Sequence, residues 1–290
     1  MKRYILLILL ALMVGAQWSM VNAQTFAIHT KSVTLLATPD EVGEMMFSGS
    51  LLSIGDTLID ASTIDSMSYS GQDFDPQVVQ VAYNGNDCRV SMPLALADSL
   101  TIEQDGAYVT INSASHGGAE ITYSLSGKTD NGWFKQDGSY KCKVHLNGVS
   151  ITSKQGHALH VKNGKRIDFD VVEGTVNNFV DNADTLHDAC FQVKGHPEFS
   201  GLGVINITGN GKHAYKSGEY TKLKKTAGTI NILAAPRDGM HVGQYFKMNG
   251  GKVTIANAVR GDGIQAECNS DSTTSVPALM HLEYLPLQVT

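Results

Sequence analysis

Residues 228–240, GTINILAAPRDGM, and residues 251–264, GKVTIANAVRGDGI, are one phrase written twice. Each runs from Gly through alternating apolar and polar positions into an irregular piece, then Arg, Asp-Gly and an apolar residue. Upstream, VSITSKQGHAL (149–159) and INITGNGKHAY (205–215) keep the plan. Ile151 lies six residues before His157, Ile207 six before His213, Ile232 six before Asp238, and Ile255 seven before Asp262. The turn positions His213, Asp238 and Asp262 therefore step by 25 and then 24 residues. The longer gap between His157 and His213 holds one further unit, RIDFDVVEGTVNNFVDNADTLHDACFQV (166–193).

Apolar residues that alternate over four or five positions and then stop read as short strands. A helical repeat would hold its 3.6-residue period over a dozen residues. One such unit cannot bury its own apolar face, whereas stacked units bury a continuous core. The Leu and Asn ladder of leucine-rich repeats is absent. The pattern predicts an all-β chain folded as a right-handed parallel β-helix, a solenoid with several short strands per coil. Stacking in register sets Gly228 over Gly251, Ile232 over Ile255 and Asp238 over Asp262, with neighbouring coils about 4.8 Å apart.

The flanks read differently. Lys2 and Arg3, the apolar run 4–16 and VNA before Gln24 form an export signal over residues 1–23, with cleavage expected after Ala23. The run is too short for a membrane span, and no cysteine stands at the cut to carry a lipid anchor. The expectation is an exported protein, periplasmic or released to the surface. Residues 24–112 read as a small β-hairpin module. VVQVAYNGNDCRVSM (78–92) turns at Asn84-Gly85 and SLTIEQDGAYVTI (99–111) at Asp105-Gly106. The solenoid is expected over 113–268. In the tail 269–290 the strand pattern stops and Pro277 and Pro286 intervene, as in an irregular cap or a curtailed solenoid.

Composition narrows the function. The 290 residues are 42% hydrophobic with 29 glycines and 7 prolines, too apolar for disorder. The net charge of −6, or −8 without the two leader cations, argues against a nucleic-acid partner. Cys88, Cys142, Cys190 and Cys268 lack metal-binding spacing and read as small core residues, Cys142 on the buried face of a strand.

Stacking carboxylates a few ångströms apart is unfavourable unless a cation lies beside them. Asp184, Asp188, Asp238 and Asp262 fall in or near the turn zone, so they read either as calcium ligands or as ordinary turn formers. Arg237 and Arg260 precede their aspartates by one and two residues and share an expected outer face. Their guanidinium forks suit carboxylates of an acidic sugar polymer, and Lys212, Lys216 and Lys194 extend the ladder. The scattered histidines lack HExxH, and strand residues three apart point to opposite faces, so no zinc site is expected. No nucleophile motif, phosphate loop or paired catalytic carboxylates stand out. Tyr123, Trp133, Phe134 and Tyr140 cluster around KTDNGWFKQDGSY (128–140), read as a loop that either stacks on sugar rings or plugs the solenoid end.

ITYSLSGKTDNGWF (121–134), the long segment 140–181, GVINITGNGKHAY (203–215) and the two opening phrases together resemble a family of exported bacterial carbohydrate-binding domains. The resemblance covers about residues 78–268. It implies a right-handed parallel β-helix of pectate-lyase-like shape, calcium within the helix, and binding of acidic polysaccharide such as polygalacturonate. Carried over by position, Asp188, Asp238 and Asp262 are the expected metal sites; His213-Ala214 interrupts the Asp-Gly series. The resulting expectation is a non-catalytic binder of acidic polysaccharide, with Arg237, Arg260, Lys212 and Lys216 as ligand-binding residues. The alternatives are a calcium-dependent polysaccharide lyase using Arg237, Arg260 or Lys216 as base, and a structural or adhesive solenoid.

Overall fold

The computed structural model describes residues 25–113 and 118–268. The expected leader and the tail 269–290 lie outside the described residues. Within them the chain winds as a parallel β-solenoid of about six turns, in the right-handed sense that parallel crossovers take.

Each coil has three sides. Ile121–Thr129, Cys142–Thr152, His196–Thr208 and Thr221–Ala234 each cover the first two sides as one long strand. Register shifts mark the bend, beside Gly127 (φ 79°) and Gly201 (φ 84°), a backbone region that glycine enters without strain. In the extra unit this strand splits into Arg166–Val171 and Val176–Val180, and in the last coil into Phe246–Met248 and Lys252–Ile255. The third side is short: Gly132–Gly138, Leu159–Val161, Ala189–Val193, His213–Ser217, Met240–Val242 and Ile264–Ala266.

The registers follow the repeat. Ile207 pairs with Ile232 and Ile232 with Ile255. Thr229 pairs with Lys252, which sets Gly228 over Gly251. Met240 pairs with Ile264, which sets Asp238 over Asp262. Inward residues form columns: Tyr123, Val144, Phe169, Phe199 and Leu223 on the first side, and Phe134, Leu159, Phe191, Tyr215 and Met240 on the third. All are buried. The rings of Phe169 and Phe199 stack with centroids 5.0 Å apart and planes 15° apart, and Phe191 meets Phe169, Phe179 and Tyr215. On the outside of the second side, Asn206 donates to Asn178 (2.9 Å) and Asn231 to Asn206 (2.8 Å), a ladder that ties coil to coil.

The solenoid starts earlier than the hairpin module suggests. Val78–Asn84 pairs in parallel with Ile121–Thr129, and Ala107–Ser113 with Gly132–Gly138, so both hairpins lend a strand to the first coil. The first hairpin pairs Asn84 with Asp87, placing its two-residue turn at Gly85-Asn86, one residue later than expected. Ahead of it, Thr25–Thr30, Val33–Ala37 and Ile64–Ser70 extend the same sheet, and Met45–Ser48, Leu51–Ile54 and Thr57–Asp60 make a separate meander. This covers the starting edge that an open solenoid would expose.

The aromatic cluster lies mostly on strands rather than in one loop: Tyr123 on Ile121–Thr129, Trp133 and Phe134 on Gly132–Gly138, with Tyr140 just past the second strand and exposed. Phe134 and Tyr123 point inward with no exposed surface, while Trp133 faces outward beneath the Lys135 ammonium, 3.3 Å from its ring centre. Strand alternation separates neighbours that the sequence reading had grouped. The four cysteines are unpaired, and Cys88, Cys142 and Cys190 are buried. Among the described residues no helix is long and apolar enough to cross a membrane.

Candidate functional site

The third side carries the most regular display of polar side chains. Each of its short strands buries alternate residues and turns the one between them outward. Stacking then aligns Lys135, His160, Gln192, Lys216, His241 and Gln265 in one column. Two residues further along, the ladder continues through Lys162 (N–H to Gln136 O, 2.7 Å), Lys194 (to Val161 O, 2.8 Å) and Gly218 (to Val193 O, 2.9 Å). A side chain at Gly218 would fall 2.1 Å from the Lys194 carbonyl oxygen, so tight stacking leaves that floor bare.

Between these columns lies an open cleft of about 420 Å³, lined by Asp137, His160, Lys162, Gln192, Lys194 and Lys216 together with Gly218. Three lysines face one aspartate there. Burial, with His157 and lysine neighbours adding to it, pushes His160 down to about 3. At neutral pH its imidazole is uncharged and offers one donor and one acceptor. Gln192 Oε1 is buried without a hydrogen-bond partner.

The residues expected from the sequence line the adjoining corner. Asp188, Lys212 and Arg237 occupy successive coils, joined by Arg237 N–H to Lys212 O at 3.0 Å. Arg260 follows on the last coil, with its N–H on Ala235 O at 2.9 Å. Arg237 and Arg260 are exposed. Lys212 and Lys216 both reach Asp188, at 3.0 and 2.8 Å, which joins the corner to the cleft. Their hydrogen bonds, led by that of Lys216, hold the Asp188 carboxyl well below the usual carboxylate range.

The aspartates expected to bind calcium do not gather into an oxygen shell. Calcium takes six to eight oxygens. Asp188 is already neutralised by two ammonium groups, and Asp184 accepts from Asn182 and His187. Asp238 Oδ1 accepts the Asp262 N–H at 3.0 Å, and its Oδ2 faces His213 Nδ1 at 3.2 Å and His241 Nδ1 at 3.1 Å. Asp262 is exposed. The donors present do not fit calcium.

The histidines, in contrast, are less scattered than their spacing implies. His157 and His160 lie 4.2 Å apart by ring centre, as do His213 and His241 at 4.5 Å. His187 is clamped between Asp181 (2.6 Å) and Asp184 (2.8 Å), which fastens the turn of the extra unit. Asp238 and His241 are three apart yet converge, because Asp238 sits in the turn ahead of Met240–Val242, where strand alternation does not apply.

Sequence reasoning missed His160, Lys162 and Gln192. The signal was the repeat itself: the central residues of LHV, FQV, YKS, MHV and IQA recur at the coil step and form the outward column of His160 and Gln192, and Lys162 and Lys194 each stand two residues after it. Fold and site together define a surface-binding β-solenoid, with one open face that joins cations to neutral hydrogen-bonding groups. Residues 105–280 match the family model of the carbohydrate-binding domain-containing proteins, and the chain belongs to that family. Among solved structures it is similar to a polysaccharide lyase-like protein from C. thermocellum, studied as a gadolinium derivative. The two are 13% identical over 65% of this chain and 94% of that one, with a TM-score of 0.47. No curated protein matches it.

Proposed function

We propose that this protein is a non-catalytic binder of acidic polysaccharide, exported by its leader to the periplasm or cell surface. The polymer lies along the third side, with its carboxylates over Lys162, Lys194 and Lys216 and along the corner cations Lys212, Arg237 and Arg260. The observation that carries this reading is the cleft's lining: three lysines beside Asp137, with Lys216 also paired to Asp188 at its rim, next to the unpartnered Gln192 Oε1 and a neutral His160. Cations attract uronate carboxylates, while amide and imidazole groups pair with sugar hydroxyls. Coils repeating every 4.8 Å or so present these groups at fixed steps, which suits a repeating polymer. Calcium is not needed by this arrangement, since lysines and arginines supply the positive charge.

Calorimetric titration with polygalacturonate and with a neutral galactan tests the proposal. Polygalacturonate should bind more tightly, should weaken as salt rises, and should lose at least tenfold in affinity when Lys162, Lys194 and Lys216 are changed together to Ala. Equal affinity for both polymers would remove the acidic specificity, and no affinity for any glycan would leave a structural spacer. Growth of unsaturated-uronate absorbance in the same samples would replace the binder with a lyase. Repeating the titration with calcium and with chelator shows whether the metal has any part in binding.

A further inference from the structure

We propose that His213, Asp238 and His241 form a binding site for a divalent transition-metal ion of the zinc class. The three donors lie within 4.8 Å of one another. Asp238 Oδ2 stands 3.2 Å from His213 Nδ1 and 3.1 Å from His241 Nδ1. With metal–ligand bonds of about 2.0–2.1 Å, the ligands of a tetrahedral zinc lie roughly 3.3 Å apart. Those two separations thus match a coordination edge.

The surroundings point the same way. The Asp262 N–H holds Asp238 Oδ1, which turns Oδ2 toward the two imidazoles. His241 Nε2 lies 2.8 Å from Glu267 Oε1. A carboxylate on the far nitrogen of a ligating histidine fixes its tautomer and raises its basicity. His213 supplies the independent observation. It is only 7% exposed, and its Nδ1 has no hydrogen-bond partner although it faces the carboxylate. A buried polar atom left unpaired costs roughly 1–3 kcal/mol, so it calls for an occupant. A cation between the three donors would satisfy it.

The donor chemistry selects the class of ion. Imidazole nitrogens suit zinc, copper and nickel, whereas calcium and magnesium want oxygen. Three protein ligands also leave a fourth position for water or another oxygen donor. The proposal does not depend on the polysaccharide reading.

The test is titration of the full chain, stripped by chelator, with Zn2+ and separately with Ca2+, followed by calorimetry and by thermal unfolding. The expected result is one equivalent of zinc, a rise in melting temperature, and no comparable response to calcium. His241→Ala should lower zinc affinity at least 100-fold. Glu267→Gln alters a group that touches no metal and should weaken binding about 10- to 100-fold with the fold intact. Absence of saturable zinc binding would overturn the proposal. So would zinc affinity unchanged in both variants, which would place the ion elsewhere, for example at His157 and His160. Calcium binding more tightly than zinc would overturn it as well.

Discussion

Changing Gly228 to Ala tests the stacking that the repeated phrase implies. Gly228 has no positive φ, so on conformational grounds alone Ala would stabilise by about 0.4–1 kcal/mol through the unfolded chain. The neighbouring coil reverses the sign. The new Cβ would lie 2.1 Å from Gly203 O and 2.8 Å from Leu202 C, both backbone atoms that cannot rotate away. Relief requires the coils to separate by about 1 Å where strands normally sit about 4.8 Å apart, straining the ladder on both sides of Thr229. Overpacking of this kind costs about 1–3 kcal/mol, sometimes more. For a chain of this size that lowers the melting temperature by roughly 2–12 °C. Gly164→Ala is the control: it also lacks a positive φ, and nothing lies within 4 Å of its added Cβ. It should be neutral or raise the midpoint by about 1–4 °C. Differential scanning calorimetry of both variants measures the contrast. If Gly228→Ala melts at or above Gly164→Ala, the glycine column is not a contact between coils and the register argument fails.

Phe191→Ala should cost about 3–5 kcal/mol in urea denaturation, because the side chain is fully buried among Phe169, Phe179 and Tyr215. Leu186→Ala, at a residue 94% exposed, should stay within about 0.5 kcal/mol of the parent. Burial depresses His157 to about 4 and His160 to about 3, below the unfolded value of about 6.5. The unfolded chain therefore binds more protons as pH falls below 6.5: stability is complete above that pH and declines toward pH 4. At pH 5 each histidine should cost up to about 2 kcal/mol. Urea midpoints at pH 7 and pH 5 should show the loss, with a smaller one in His160→Gln; equal midpoints in the parent would refute it. Asp188→Asn removes the carboxylate that occupies Lys212 and Lys216. It should change stability by less than about 1 kcal/mol and tighten polygalacturonate binding, and weaker binding would show that Asp188 positions those lysines for the polymer.

Much of the fold is legible because a solenoid is nearly one-dimensional. Each coil meets only its neighbours, so a repeat in sequence becomes a contact in space. That is why the spacing of Ile207, Ile232 and Ile255 gives their pairing, and why Asp238 lies over Asp262. The repeat was less visible where coils lengthen, as between His157 and His213, or where strands serve two structures at once. Val78–Asn84 reads locally as half of a hairpin, and it is one, yet its other edge begins the solenoid. Alternation also had to overrule composition: Trp133 and Phe134 are adjacent and chemically alike, but one faces solvent and the other the core.

By itself the sequence determined the all-β class, the coil step and the columns that step creates, because short-range alternation and fixed spacing are written along the chain. Side-chain partnership was decided only in three dimensions. Asp188, Asp238 and Asp262 look alike in sequence, each an acid at a turn. In the folded chain one is held by two ammonium groups, one faces two imidazoles, and one is left at the surface. The cleft of Lys162, Lys194 and Lys216 likewise exists only because the coils stack, bringing residues from three separate turns to a single face. Spacing fixes which residues share a column, whereas the partners each turn residue meets, such as His213 where the next two coils carry Asp238 and Asp262, are set only when the coils stack.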